Sequence, residues 1–478
     1  MAQLFAADDK FPDVVAALQA RGWRRLPFVG CPKFDLKWTN YAKIAWRRVT
    51  PAQVVNHLQH SVLFSQKDHF ADLLYAHASG QRDTGGQSQV DNCFPRTFDG
   101  SRPRDRILLR RWFVYSQAVA ELKQSLCIGS TAQCGAALRL AKAVLSKDSF
   151  FERWREDEVG FEVLEWLEGS RGEEVSAECC SQEVKEVLSE LERRDPQFNA
   201  VGIGRGDVWI CKPSNLSQGR GITMCSSLEE LEEILSEDEQ REQEKSEARL
   251  ERKAVNKWVV QKYIERPLLL QNGRKFDIRQ WVLVTELEPK PIAFWFYKSY
   301  LRFCARRFQL SRLQDRFTHL SNYSVQQHFV PIETSDGIEA GRDKDAADGN
   351  AQEEKMDMFE PMWSSEQFRD ILRQNHGRDL WMEIILPQMQ STARLALGAI
   401  LPKLKAVGRG FEWLGFDFLV DENNHVWLLE VNVSPDVSHS TNITAELASK
   451  ATVDALNVVL DPEASRTSDN GWLPFELN

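Results

Sequence analysis

The stretch FEWLGFDFLVDENNHVWLLEVNVSP, from Phe411 to Pro435, holds two alternating apolar runs around Glu422, Asn423 and Asn424. Apolar runs of this length, broken by Asn, predict a β-hairpin. Residues two apart on a strand share a face, so Glu430 and Asn432 point the same way. With the turn centred between Asn423 and Asn424, the residue opposite Glu430 is Asp417. Asp417, Glu430 and Asn432 then converge on one face of an otherwise apolar strand pair. Polar groups in such a place are costly unless something satisfies them. Mg²⁺ is a suitable partner, since it takes carboxylate and amide oxygens and keeps positions open for phosphate. The alternative is the solvent-facing side of an edge hairpin.

Working back from the hairpin, WICKPSNLSQGRGI (Trp209 to Ile222) predicts a strand ending near Lys212, a flexible loop and then a helix. Backbone N–H groups in such a loop can close over phosphates while Lys212 and Arg220 neutralise charge. An ordinary glycine turn is the plainer reading, and the Walker A pattern is absent. In VVQKYIERPLLLQNGRKFDIRQWVLVT (Val259 to Thr285), Gln261 to Ile264 lie on a strand ahead of a Pro turn, and its backbone can hydrogen-bond an adenine. Lys275, Asp277 and Arg279 alternate, so they share a face. They form either an ion-pair ladder or a row that holds phosphates and a carboxylate. WFYKSYLRF (Trp295 to Phe303) reads as a strand carrying Arg302, and HLSNYSVQ (His319 to Gln326) brings Ser321 and Asn322.

The whole chain has 478 residues, 42% hydrophobic and 27% charged, which is globular usage for two to three domains. No apolar run approaches the roughly 20 residues that span a bilayer, so membrane insertion is not expected. The opening MAQLFAADDKFPD lacks a basic segment followed by an apolar one, so no secretory signal is expected. Nine scattered cysteines without a C-x-x-C fit a reduced compartment, with neither a disulfide framework nor a zinc site. A net charge of −10 argues against nucleic acid as a partner. Local arginine clusters (Arg21, Arg24 and Arg25; Arg47 and Arg48; Arg102 to Trp112) can still meet an acidic one, although a solvated surface explains them equally well.

Composition divides the chain into an N-terminal α/β domain with basic clusters (1–155), an acidic helical linker (156–206), a central region (207–330), a disordered acidic insertion (331–362), a C-terminal region with the hairpin (363–461) and a tail (462–478). Leu228 begins a surface helix that runs into a charged extension. Ser364 offers an N-cap, with Gln367 three residues on.

The order of these motifs carries more than any one of them. KPSNLSQGRGI, QKYIERPLL, KFDIRQWVLVT, HLSNYSVQ and GFDFLVD…WLLEVNVSPD resemble the signatures of the tubulin-tyrosine-ligase-like family of ATP-grasp ligases. The resemblance covers Asp207 to Asp461, and more loosely Gly22 to Arg111. It implies an α/β (α+β) ATP-grasp fold with a smaller N-terminal α/β domain. Within the family, WFYKSYLRF, PMWSSEQF and the segment from Val431 to Asp461 are most similar to the tubulin glycine ligases. Three departures stand out: Val433 where that branch has Ala, a less basic SNLSQ loop, and an extended Leu228 to Arg252.

The resemblance implies ATP-dependent attachment of glycine to glutamate side chains in acidic tubulin tails, through an acylphosphate. It implies Lys212, Arg220, Gly221 and Lys275 at the phosphates, and Gln261, Lys262, Tyr263 and Ile264 at the adenine, with Phe276 and Asp277 beside them. Ser321 and Asn322 complete the ATP site, and Asp417, Glu430 and Asn432 hold Mg²⁺. Arg279 and Arg302 are the implied catalytic residues, and Arg302 and Ser324 touch substrate. The implied location is the cytoplasm and cytoskeleton, including the axoneme of cilia or flagella. A glutamate ligase of the same chemistry and a silent microtubule-binding relative are the alternatives.

Overall fold

The computed structural model describes residues 2–80, 89–129, 134–147, 150–151, 154–155, 181–204, 207–236, 257–333, 339–343, 360–461 and 469–477. A small parallel sheet opens the chain, with β1 (Leu4–Ala7), β2 (Arg24–Arg25), β3 (Leu36–Trp38) and β4 (Val54–Val55). Helix α1 (Pro12–Ala20) crosses between its first two strands. The next strands, β5 (Thr97–Asp99), β6 (Trp209–Pro213), β7 (Thr223–Cys225) and β8 (Trp258–Lys262), form an antiparallel sheet ordered β5-β8-β6-β7. Helices α2 (Lys67–Gly80), α3 (Pro103–Ile128), α4 (Cys134–Leu145) and α5 (Ser181–Arg194) contribute to the same large core as that sheet.

The largest sheet is built on one long strand. β9 (Leu269–Leu270) leads by a tight turn into β10 (Arg274–Glu286), followed by β11 (Ile292–Phe296) and β12 (Tyr300–Arg307). On one edge β10 pairs first with β12 and then with β11. A ribbon of β13 (Phe329–Glu333) and β14 (Glu339–Asp343) follows, and then β15 (Met362–Ser364), which adds to β12. Further strands are β16 (Arg409–Gly410), β17 (Glu412–Val420), β18 (Val426–Val433) and β19 (Trp472–Phe475). β17 takes the other edge of β10, β18 pairs with β17, and β19 covers β11. Helices α6 (Ser365–His376), α7 (Leu386–Ile400) and α8 (Asn442–Leu460) complete the described chain.

Alternation on β10 decides what this sheet does. Phe276, Ile278, Val282 and Val284 face one side and enter the large core with Leu414, Phe416 and Phe418 of β17. The other face is split along its length. Trp281 and Leu283 join a second core with Trp38, Phe411, Trp413 and Leu447. Lys275, Asp277 and Arg279 occupy the remaining half, and this polar half forms a wall of the site.

The sheets redraw the division read from composition. Residues 1–155 are not one unit, because β5 pairs with β8 and α2, α3 and α4 pack in the large core. The small sheet ends near β4 and takes its last strand, β16, from the far end of the chain. Part of the expected acidic linker is α5, which buries Val184, Val187, Leu188 and Leu191. In the expected disordered insertion, the backbone of 329–333 pairs with 339–343, while 334–338 and 344–359 lie outside the described residues. So do most of the charged extension after Leu228 and the start of the tail, residues 462–468. The Ser364 cap is present as a full capping box with Gln367.

Candidate active site

The hairpin of β17 and β18 pairs Asp417 with Glu430, the partner that the sequence predicts. The route to that register differs. Val420 pairs with Val426, so the turn is centred on Asn423. A register shift then leaves Leu429 as an extra residue between Leu428, opposite Phe418, and Glu430, opposite Asp417. Such a bulge turns two consecutive side chains toward one side. Leu429 and Glu430 therefore both line the cleft. Asn432 completes the group, its Nδ2 lying 3.2 Å from both Asp417 Oδ2 and Glu430 Oε1.

Two arginines back this group. Arg279 donates to both oxygens of Asp417, with Nη2 at 3.1 Å from Oδ2. Arg302 Nε donates to Asp277 Oδ1 at 2.7 Å, and its Nη2 lies 2.9 Å from Asp417 Oδ2. All four side chains are buried. The Asp277 and Arg279 part of the row is thus an ion-pair lattice across β10, β12 and β17, and it also adjoins the cleft through Asp277 and Asp417. Burial would raise the Asp417 carboxyl, but Arg279 and Arg302 outweigh it and hold the group at about 2. Asp417 is a fixed anion at neutral pH.

The cleft lies between the β6–β8 sheet and the polar half of β10. Lys212, Gln261, Lys262, Tyr263, Ile264, Arg220, Lys275, Asp277, Ser321, Asn322, Asp417 and Glu430 all line it. Lys212 Nζ donates to Gln261 Oε1 at 2.6 Å. Burial, offset in part by Glu430, brings its ammonium down to about 8. Lys275 donates to Tyr263 Oη at 2.9 Å and to the His319 carbonyl at 2.8 Å. Burial and then Lys275 push His319 down to about 4, so its ring is neutral. Nδ1 is left to accept from Tyr263 Oη at 3.0 Å, and Nε2 donates to the Arg312 carbonyl at 3.0 Å.

A model of the tubulin-tyrosine ligase family matches residues 161–468. The chain belongs to the tubulin-tyrosine ligase family. The two sheets and the cleft between them are the ATP-grasp-like fold of that family. Among similar proteins, "Tubulin glycylase 3D" of Tetrahymena thermophila is 26% identical over 546 aligned residues, taking in 96% of this chain and 48% of that protein. "Tubulin monoglycylase TTLL3" of Homo sapiens is 34% identical over 297 residues, 62% of this chain and 34% of that protein. "Protein monoglycylase TTLL8" of Mus musculus is 34% identical over 292 residues, 61% of this chain and 31% of that protein. The chain therefore spans about half the length of the first relative and about a third of the other two.

Several family-implied residues sit elsewhere than expected. Phe276 faces the core against Phe303 and Phe368, because it alternates with Lys275 and Asp277. Lys262 turns its ammonium away to Asp207, Glu265 and the Val208 carbonyl, and its backbone N–H donates to the Arg96 carbonyl at 2.8 Å. Gly221 shapes the loop at φ +69°, where an added Cβ would come within 3.0 Å of Pro213. Ser324 Oγ donates to the Gln218 carbonyl at 3.1 Å and ties that loop down. The loop returns as β7, so it closes a hairpin and does not lead into a helix as expected. WFYKSYLRF is the β11–β12 hairpin: Tyr297 lies exposed in its turn while Tyr300 is buried. Arg21 pairs with Asp461 and Arg25 with Asp9, so these two are not unpaired rim charges.

The sequence reading also missed residues. Lys67, at the start of α2, lines the cleft and donates to the Leu216 carbonyl at 2.6 Å. Ile210, Ile222, Leu419 and Leu429 supply its apolar walls. In sequence these are ordinary strand residues, and only the pairing places them.

The donor set suits Mg²⁺ held jointly with a phosphate ligand. Among the described residues there is no cluster of three or more His, Cys, Asp or Glu that would cage a metal alone. The two carboxylates do converge on the Asn432 side-chain amide, through its Nδ2, and a half-turn of that amide brings Oδ1 to the same place. One or two carboxylates completed by phosphate oxygens is the usual Mg²⁺ arrangement.

Proposed function

We propose that this chain is an ATP-dependent ligase that joins glycine to glutamate side chains of acidic tubulin tails through an acylphosphate. It would act on microtubules of the cytoplasm and of cilia or flagella. The observation that supports this most is the convergence of Lys212, Lys275, Asp417 and Glu430 on one cleft, in a chain whose similar proteins are named as glycylases.

A carboxylate is a poor electrophile, so one of its oxygens first attacks the γ-phosphorus of ATP and ADP leaves. The amine of glycine then attacks the carbonyl carbon. Phosphate leaves, the nitrogen loses its extra proton, and an isopeptide bond remains. Lys67, Lys212 and Lys275 offset the phosphate charge, and Gln261 to Ile264 offer backbone groups to the base. Asp417, Glu430 and Asn432 would hold Mg²⁺, which supplies further charge neutralisation when bound. Arg279 and Arg302 stand behind Asp417 and Asp277 at the acceptor side. A guanidinium suits a carboxylate or an acylphosphate through its planar fork.

Incubation with tubulin, ATP, Mg²⁺ and each amino acid in turn, followed by mass spectrometry of the tails, tests the proposal. The expected result is glycine increments on glutamate. Increments of glutamate or tyrosine with none of glycine would overturn the donor assignment and leave the ligase chemistry standing.

A further inference from the structure

His57 lies two residues after β4, outside the cleft lining, and is buried together with Glu412. Its Nδ1 is 2.7 Å from Glu412 Oε1. Its Nε2 is 3.0 Å from the Thr39 carbonyl and 3.0 Å from Ser434 Oγ. Nδ1 thus faces a carboxylate, and Nε2 faces a carbonyl and a hydroxyl that can accept or donate. The other oxygen of Glu412 accepts the Leu58 N–H at 2.9 Å. One buried imidazole thus joins the small N-terminal sheet, the first residue of β17 and the residue that follows β18.

Ser434 holds the left-handed backbone at φ +56°, a conformation that costs a non-glycine residue about 1 kcal/mol. This turn carries Pro435 back over Gly415, the residue paired with Asn432. A Cβ on Gly415 would lie 2.7 Å from Pro435 Cβ and 3.3 Å from both Cδ and Nη1 of Arg279. Pro435 and Arg279 therefore share the space over Gly415, and Arg279 is the side chain that grips Asp417. The path from His57 runs through Ser434 to Pro435, which closes over Gly415 beside Arg279, the partner of Asp417.

We infer that His57 is a positioning residue for the metal-binding carboxylates: by anchoring Ser434 and Glu412 it sets where Asp417, Glu430 and Asn432 converge. The inference rests on the proposed Mg²⁺ role of those three residues, not on which amino acid is transferred. Partners of metal ligands commonly matter about tenfold or more in metal affinity.

The test is the Mg²⁺ dependence of binding a non-hydrolysable ATP analogue to the full chain, by calorimetry, alongside the melting temperature. Ser434→Ala removes the hydroxyl at a half-buried site and is expected to fold. His57→Gln keeps one donor. In both, the Mg²⁺ midpoint is expected to rise about tenfold while metal-free affinity stays near wild type. A purely structural latch would lower the melting temperature and leave the midpoint alone, and that result in Ser434→Ala overturns the inference. Glu430→Gln is the control. If it shifts the midpoint and Ser434→Ala does not, His57 has no positioning role. If it does not shift the midpoint either, the metal assignment fails and the inference falls with it.

Discussion

Glu430 and Lys212 both line the cleft and feel each other's charge, and each gives a prediction with a defined sign. Glu430→Gln removes one carboxylate charge with almost no change in volume. The side chain is half-buried at the cleft and not in the packed core, so the melting temperature should stay within a few degrees of wild type. Ligation should fall by at least about two orders of magnitude, as for loss of a charge-stabilising group. A single-turnover assay beside a thermal melt checks both halves. Lys212 predicts a pH dependence. In the free protein its ammonium titrates near 8 in place of the ordinary 10.5, and burial lowers Lys275 in the same direction. Bound phosphates need these charges, so ATP affinity should decline as pH rises through about 8, by no more than tenfold per unit for one proton. Lys212→Arg should flatten the profile, because a guanidinium stays charged. For the stability of the free protein the sign is reversed. Between about 8 and 10.5 the unfolded chain binds the proton that the folded chain has lost. This group therefore raises stability with pH in that window. Isothermal titrations from pH 7 to 9.5 would show a level ATP affinity if the assignment were wrong.

At the scale of elements, the β17–β18 hairpin separates what sequence can and cannot tell. Alternation identifies Asp417, Glu430 and Asn432, and it places Lys275, Asp277 and Arg279 on one face, because a period of two is local information. The same alternation excludes Phe276 from that face. The bulge at Leu429 is different, since no residue in VWLLEVNV marks it and it becomes defined only when β18 lies against β17. The return of the phosphate loop as β7 is hidden for a related reason: three residues, Thr223 to Cys225, gain their strand character from pairing with β6. The partners of Arg279 and Arg302 lie 138 and 25 residues away, so only assembly of three strands shows that both guanidinia are engaged. The bulge also gives a prediction. It turns Leu429 onto the apolar wall with Leu419 while Glu430 keeps its place opposite Asp417. Leu429→Ala should weaken nucleotide binding about tenfold, from the loss of roughly 1.5 kcal/mol of apolar contact. Its Mg²⁺ midpoint should not move, in contrast to Ser434→Ala. A shift of the midpoint in Leu429→Ala would mean that the bulge serves the metal group rather than the base.

At the scale of the whole molecule, the question is whether the first sixty residues form a separable domain. Composition suggests an N-terminal unit, but it does not reveal that β16, some 350 residues later in the chain, completes the small sheet beside β4. The second core is shared across that boundary. Phe5, Leu36 and Trp38 on one side pack with Trp281, Phe411, Trp413 and Trp472 on the other, and Trp38 meets Phe411 and Trp413 edge to face at 5.3 and 6.2 Å. Each large side chain exposed by removing its partners forfeits about 2 kcal/mol, against a total stability of about 5–15 kcal/mol for a folded domain. Glu412 would also lose His57 and the Leu58 N–H, and a buried carboxylate without partners is among the costliest defects. Deletion of residues 1–60 is therefore expected to leave no cooperatively folded remainder. The expected observations are loss of a sharp thermal transition, loss of near-ultraviolet circular dichroism from the tryptophan cluster, and no ATP binding. A truncated chain that melts cooperatively within about ten degrees of the full chain would show that the nucleotide cleft stands without the N-terminal sheet, since a shift that small corresponds to only a few kcal/mol.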